Sequence, residues 1–137
     1  MLSRRIFGAC ALCSAVGLIA SGVEAQPRIP AESSDLKITM LRRTDMSGGA
    51  HEVVQLLVEA MPNAVAPRHT HPGVESAVIL EGSGVQEIDG QAPLQVSPGD
   101  TWQVAAGVPH GGRYGPRGCK FVVHLSVEKG KPITSPA

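Results

Sequence analysis

The sequence predicts an all-β domain, a sandwich or barrel of short antiparallel strands, and three observations carry that prediction. Glycine and proline supply 24 of the 112 residues from Gln26 onward, roughly 21% against a usual ~12%. Gly82, Gly90, Gly99, Gly107 and Gly115 recur every eight or nine residues with short apolar runs between them, which is the turn spacing of sandwiches and barrels. Helical periodicity is weak throughout, while two-residue alternation recurs.

The elements follow in order. Residues 36–43 alternate Leu36, Ile38 and Met40 with Lys37 and Thr39 and form a first strand. Residues 52–60 are a longer run rich in Val and Leu. Residues 64–71 lead into His69 and His71. Residues 75–81 have the apolar centre Ala77-Val78-Ile79-Leu80, expected to be buried on both faces. Residues 85–88 and 94–96 flank Asp89-Gly90, a signal for a tight hairpin turn with positive φ at both central positions. Residues 101–104 place Trp102 and Val104 on one face, expected in the core. Residues 108–113 and 119–127 complete the set. Pro98-Gly99 and Gly111-Gly112 are further breakers. Residues 26–35 and 130–137 read as an extended arm and tail around one barrel domain at 36–129.

The first 25 residues have the layout of an export signal. Arg4 and Arg5 precede an uncharged stretch from Ile6 to Ala20, and Val23-Glu24-Ala25 ends in a small residue. The stretch is short for a membrane span. Ser3-Arg4-Arg5-Ile6-Phe7 resembles the twin-arginine motif, with Gly8 where leucine is usual; a general secretory signal is the alternative. Either places the protein in the periplasm or outside the cell. Cys10 and Cys13 fall within this segment, so the mature chain holds only Cys119 and no intramolecular disulfide. Cys119 reads as a small buried hydrophobe, with a metal or redox role as the alternative. The mature chain carries ten basic and eleven acidic residues. That balance argues against a nucleic-acid surface, and no later apolar run is long enough to span a membrane.

Chemistry concentrates in four residues. His69 and His71, two apart on a strand, point to one face and can converge on one ion. Glu75 follows at an even spacing, interrupted by Pro72-Gly73. His110 comes 35 residues after Glu75, behind the Gly107-Val108-Pro109 turn, where a folded-back sheet could bring it to the same point.

The pattern His69-x-His71-x3-Glu75-x6-Gly82 resembles the first motif of the cupin superfamily, and Gly99-x7-Gly107-x2-His110 resembles the second. Asn63, Ala105 and Tyr114 depart from the usual pattern, none at a ligand position. The resemblance implies a double-stranded β-helix, the jelly-roll barrel, with a metal in its mouth held by His69, His71, Glu75 and His110. A set of three imidazoles and a carboxylate suits Fe, Mn, Ni or Co, and Zn and Cu remain compatible. Folding before export would favour iron or manganese.

The resemblance implies a metal-dependent enzyme, dioxygenase-, lyase- or isomerase-like, on a small oxygen-bearing organic substrate. The alternative is a non-catalytic periplasmic binder of a metal or small ligand. A third reading, a ligand-sensing domain of a DNA-binding regulator, has the lack of a DNA-binding segment in this sequence and the export signal against it. Candidate catalytic residues are Glu75, His124 as a pocket acid or base, and Tyr114 as a hydrogen-bond donor into the mouth. Arg68 is expected to be exposed and His51 to lie in a loop. The resemblance also implies a homodimer, with residues 36–43 as an edge strand available to a neighbour.

Overall fold

The computed structural model describes residues 35–137. The expected export signal, with Cys10 and Cys13, and the arm before Asp35 lie outside the described residues. Eight strands follow in the order β1 (Leu36–Asp45), β2 (His51–Ala60), β3 (Val65–Thr70), β4 (Gly73–Ile88), β5 (Leu94–Val96), β6 (Thr101–Val104), β7 (His110–Glu128) and β8 (Ser135–Pro136). Every pairing is antiparallel. No helix among the described residues is long and apolar enough to cross a membrane.

β4 and β7 are the frame. The first half of β4 pairs with the second half of β7, from Gly73↔Val127 to Gly82↔Cys119. β2 and β1 extend this layer on one side and β6 on the other. The second half of β4 pairs with the first half of β7, from Gly84↔Tyr114 to Ile88↔His110. Here β5 extends one side, and β3 and β8 the other. The result is a double-stranded β-helix, a jelly-roll barrel.

Both long strands bend where they pass between the layers. Gly82 and Gly118 sit there with φ of +80° and +73°. A Cβ at Gly82 would lie 2.1 Å from the Gly118 carbonyl oxygen, and one at Gly118 would lie 2.4 Å from that of Ala60. Only glycine meets both demands. The runs expected at 75–81 and 85–88 are therefore one bent strand, as are 108–113 and 119–127. Glycine here turns a strand without ending it. Gly82, Gly90, Gly99 and Gly107 do adopt positive φ, but Gly115 does not, and Gly118 takes that part.

Other expectations are corrected. Ala77 and Ile79 are buried, but Leu80 is 44% exposed, because a barrel wall is one strand thick and its outer side meets solvent. At Asp89-Gly90 only Gly90 has positive φ, and the chain turns with Gln91 N–H donating to the Ile88 carbonyl. Pairing to β5 resumes only at Gln86↔Leu94, so this is a longer connection than a two-residue hairpin. His51 opens β2 and is not in a loop. The tail is not a free arm: β8 pairs with the end of β3, and Ile133 is 1% exposed.

The core follows the alternation. Val54, Leu56 and Val58 of β2, Ile79 of β4, Trp102 and Val104 of β6, and Phe121, Val123, Leu125 and Val127 of β7 point inward. Each large apolar side chain so buried contributes about 1.5–3 kcal/mol relative to exposure. Glu52 is buried among them and is met by the Arg43 guanidinium at 2.5 and 2.6 Å. Cys119 is a buried free thiol, as the small-hydrophobe reading expects, and burial pushes it up to about 11. At pH 8 an alkylating reagent is therefore expected to modify Cys119 only after denaturation, as intact mass would show; rapid labelling of the folded protein would contradict this burial.

Candidate metal centre

The fold brings the four predicted residues to one point. His69 comes from β3, and its Cα partner across the sheet is His110, the first residue of β7. His71 follows β3 directly. Glu75 arrives from β4, beyond the break at Pro72-Gly73, where it stands opposite Leu125 and Val104. One ligand atom from each of His69, His71, Glu75 and His110 lies within 4.8 Å of all the others. The three imidazole centroids are 4.3 to 5.1 Å apart.

Hydrogen bonds decide which ring nitrogen faces the centre. Nδ1 of His69 lies 2.7 Å from the Pro67 carbonyl, Nδ1 of His71 2.7 Å from that of Ile133, and Nδ1 of His110 2.9 Å from that of Val108. A carbonyl only accepts, so each Nδ1 carries the proton and each neutral ring presents its Nε2 lone pair. Nε2 of both His71 and His110 is buried and without a hydrogen-bond partner. Glu75 Oε2 lies 2.9 Å from the first and 3.4 Å from the second. Electron-rich atoms this close repel unless a cation stands between them. Backbone carbonyls that hold Nδ1–H are the usual outer partners of metal-bound histidine. The residues present therefore fit a divalent transition metal ion.

Glu75 is braced on its other side, where Trp102 Nε1 donates to its Oε1 at 2.7 Å. Burial opposes its ionisation, but contacts to His110 and His71 outweigh burial and hold the carboxyl well below the usual range. His110 is raised above its ordinary value: burial works against this, and the Glu75 carboxylate prevails. His69 is lowered, first by burial and then by His110 and His71, despite its bond to Pro67.

The cluster opens onto a cavity of about 400 Å³ inside the barrel. Its wall is largely apolar, with Leu56, Val58, Val123 and Leu125 beside an aromatic set. Phe121 stands 5.5 Å, centroid to centroid, from both Trp102 and Tyr114. Tyr114 is on β7 and buried, and burial raises its phenol well above the ordinary value, against a smaller opposing effect of neighbouring Gln86. Arg68 is exposed, as expected, and sits at the rim paired with Asp89.

His124 does not join the centre. It is exposed on the outer face of β7, and Gln55 Nε2 lies 2.8 Å from its Nε2. Its apolar neighbours Phe121, Val123 and Leu125 have the opposite parity and claim the interior. Three contributors escape a reading of the sequence. Trp102 is 27 residues from the Glu75 it braces, and the Ile133 carbonyl comes from the tail. Gln86 lines the cavity, and its one signal is a polar residue in phase with inward-facing Gly84 and Ile88.

The family described as "Cupin domain" matches residues 56–123. No curated protein sequence matches the chain. Among solved structures, the chain is similar to the DMSP lyase DddQ from Ruegeria pomeroyi, with 21% identity and a TM-score of 0.64 over 75% of this chain. It spans about half of that lyase, 52% of its length. An RmlC-like cupin from Shewanella frigidimarina gives 20% identity and a TM-score of 0.59, covering 77% of this chain and 87% of the other. The polyketide cyclase RemF from Streptomyces resistomycificus gives 29% identity and a TM-score of 0.57, covering 72% and 69%. The first two likenesses speak to fold. With the barrel, the two motifs and the family match in agreement, the chain belongs to the cupin superfamily.

Proposed function

We propose that this protein is a metal-dependent enzyme acting on a small oxygen-bearing organic molecule. The observation that carries the reading is the convergence of three Nε2 lone pairs and a carboxylate at one end of an apolar cavity of drug-like size. His69, His71, Glu75 and His110 would hold the metal, with iron or manganese favoured and Ni, Co, Zn or Cu compatible. When bound, such an ion supplies Lewis acidity toward a substrate oxygen and, in the case of iron, redox chemistry with dioxygen.

The chain's own residues divide the remaining tasks. Leu56, Val58, Val123 and Leu125 exclude water and receive the carbon skeleton. Trp102 holds Glu75 in place. Tyr114 stays protonated and acts as a hydrogen-bond or proton donor, not as a base. A polyketide cyclase among the similar structures, 29% identical, supports chemistry on an organic substrate of this kind.

Elemental analysis of protein purified without added metal tests the reading. About one iron or manganese per chain is expected, with His69→Ala lowering affinity about tenfold or more. Wild type that takes up no divalent metal would overturn it. Turnover is then sought on diketones, catechols and hydroxy acids. A second reading, a non-catalytic binder, draws support from the lining, which among the described residues offers no acid–base group beyond Tyr114 and the four candidate ligands. Metal without turnover on any of these classes favours it.

Export through residues 1–25 and homodimerisation belong to the same proposal. β1 pairs only with β2 among the described residues, which leaves its other edge as a seam for a second copy. A monomer by light scattering would remove the dimer.

A further inference from the structure

Among the described residues, one buried polar atom of the cavity apart from the candidate ligands makes no well-formed hydrogen bond, Nε2 of Gln86. Gln86 is 3% exposed, and the polar group beside its amide is Tyr114. The buried amides of a folded protein are almost always satisfied. The position is also built for an amide. Gln86 stands opposite Gly112 across the β4–β7 ladder, and a Cβ at Gly112 would lie 3.0 Å from Oε1 and 3.1 Å from Nε2. A larger residue at 112 would press the amide from its place.

Gln86 is two residues along β4 from Ile88, the partner of His110. Both face inward, so the amide lies about 7 Å along the strand from the level of the cluster. The rings of Trp102, Phe121 and Tyr114 form a connected row on the same cavity wall, with Trp102 at Glu75 and Tyr114 beside Gln86. This is room for a flat ring between two polar ends.

We propose that Gln86 is the second recognition point of the cavity, donating from Nε2 to an acceptor oxygen on a ring-bearing substrate whose other end carries the oxygens that meet the His69, His71, Glu75 and His110 cluster. The last torsion of a glutamine is soft and roughly two-fold. A turn of the amide lets the neighbouring Tyr114 O–H donate to Oε1 while Nε2 faces the ligand. The substrate class is thus a ring-bearing molecule with metal-binding oxygen at one end and an acceptor oxygen at the other, and an acyl catechol is one member of it. This inference rests on the metal reading above.

The test uses cobalt-loaded protein without oxygen and two probes of equal shape. 3,4-Dihydroxyacetophenone carries a carbonyl opposite its catechol oxygens; 4-ethylcatechol lacks it. The ketone's acyl group also acidifies its catechol, so the reading is the change in preference between proteins: the ketone-over-ethyl ratio is expected to be about tenfold larger in wild type than in Gln86→Leu. Gln86→Leu is expected to keep one cobalt per chain. Gln86→Met, of matching length, repeats the comparison if the leucine variant does not fold. A ketone-over-ethyl ratio in cobalt-loaded wild type that is no larger than in either variant overturns the Gln86 assignment alone. Wild type that holds no cobalt removes the metal reading and this inference with it.

Discussion

Replacing Glu75 by glutamine is expected to lower metal affinity by about a hundredfold or more while leaving the barrel folded. Glu75 is the one carboxylate in the cluster, and its Oε2 faces the buried Nε2 atoms of His71 and His110. An amide keeps the shape and the contact to Trp102 but removes the charge that a cation needs. Competition titration against a coloured chelator reads the affinity, and circular dichroism checks the fold. A variant that binds metal like wild type would show that the carboxylate is not a ligand.

The same residue sets the pH dependence. The Glu75 carboxyl lies well below the usual carboxylate range, so it stays ionised across neutral and mildly acid pH. His110 lies above its ordinary value of 6.5, so it takes up a proton first as pH falls, and His69, which is lowered, takes one up later. A protonated imidazole cannot ligate. Wild-type metal affinity is therefore expected to fall as pH drops through the range in which these imidazoles take up protons. In the metal-free protein the proton on His110 adds stability that is fully present below 6.5 and is lost as pH rises through its higher folded value. His69 acts with the opposite sign, losing stability as pH falls below 6.5. In Glu75→Gln the carboxylate that raises His110 is gone, and the His110 contribution should vanish from the pH–stability curve.

Ending the chain after Gly130 is the second large effect. Ile133 is among the most buried side chains of the molecule, and losing it removes about 1.5–3 kcal/mol of burial. For a domain of this size that is a fall in Tm on the order of 10 °C. The same cut removes the carbonyl that receives His71 Nδ1–H, and Thr134, whose hydroxyl lies 3.3 Å from the same nitrogen. Freed of that bond, the ring can rotate or exchange its proton, and metal affinity is expected to drop 10–100-fold. Ile133→Ala separates the effects: it loses most of the burial but keeps the carbonyl, so Tm should fall while metal affinity stays near wild type. Calorimetry with the same chelator titration reads both. Equal loss of affinity in Ile133→Ala would mean that packing, and not the carbonyl, holds His71.

Much of this protein is set by local chemistry that its residue order displays. Glycines at positive-φ positions and alternating apolar residues specify an antiparallel barrel, because each is a property of one strand or turn. His69, His71, Glu75 and His110 are legible because ligand chemistry demands those residue types at spacings that strands can bring together. The outward aim of His124 was present as well, in the parity of Phe121, Val123 and Leu125 beside it. Tertiary structure alone decided the rest. Whether a glycine ends a strand or bends it depends on which backbone it meets, as Gly82 meets the Gly118 carbonyl and Gly118 that of Ala60. The proton on Nδ1 of His71 is assigned by the Ile133 carbonyl, 62 residues away, and Glu75 is braced by Trp102, 27 residues away. Gln86 faces the cavity beside Gly112 because β4 and β7 pair in that register. Hydrogen bonds and burial act over a few ångströms in space, and no spacing along the chain encodes those distances.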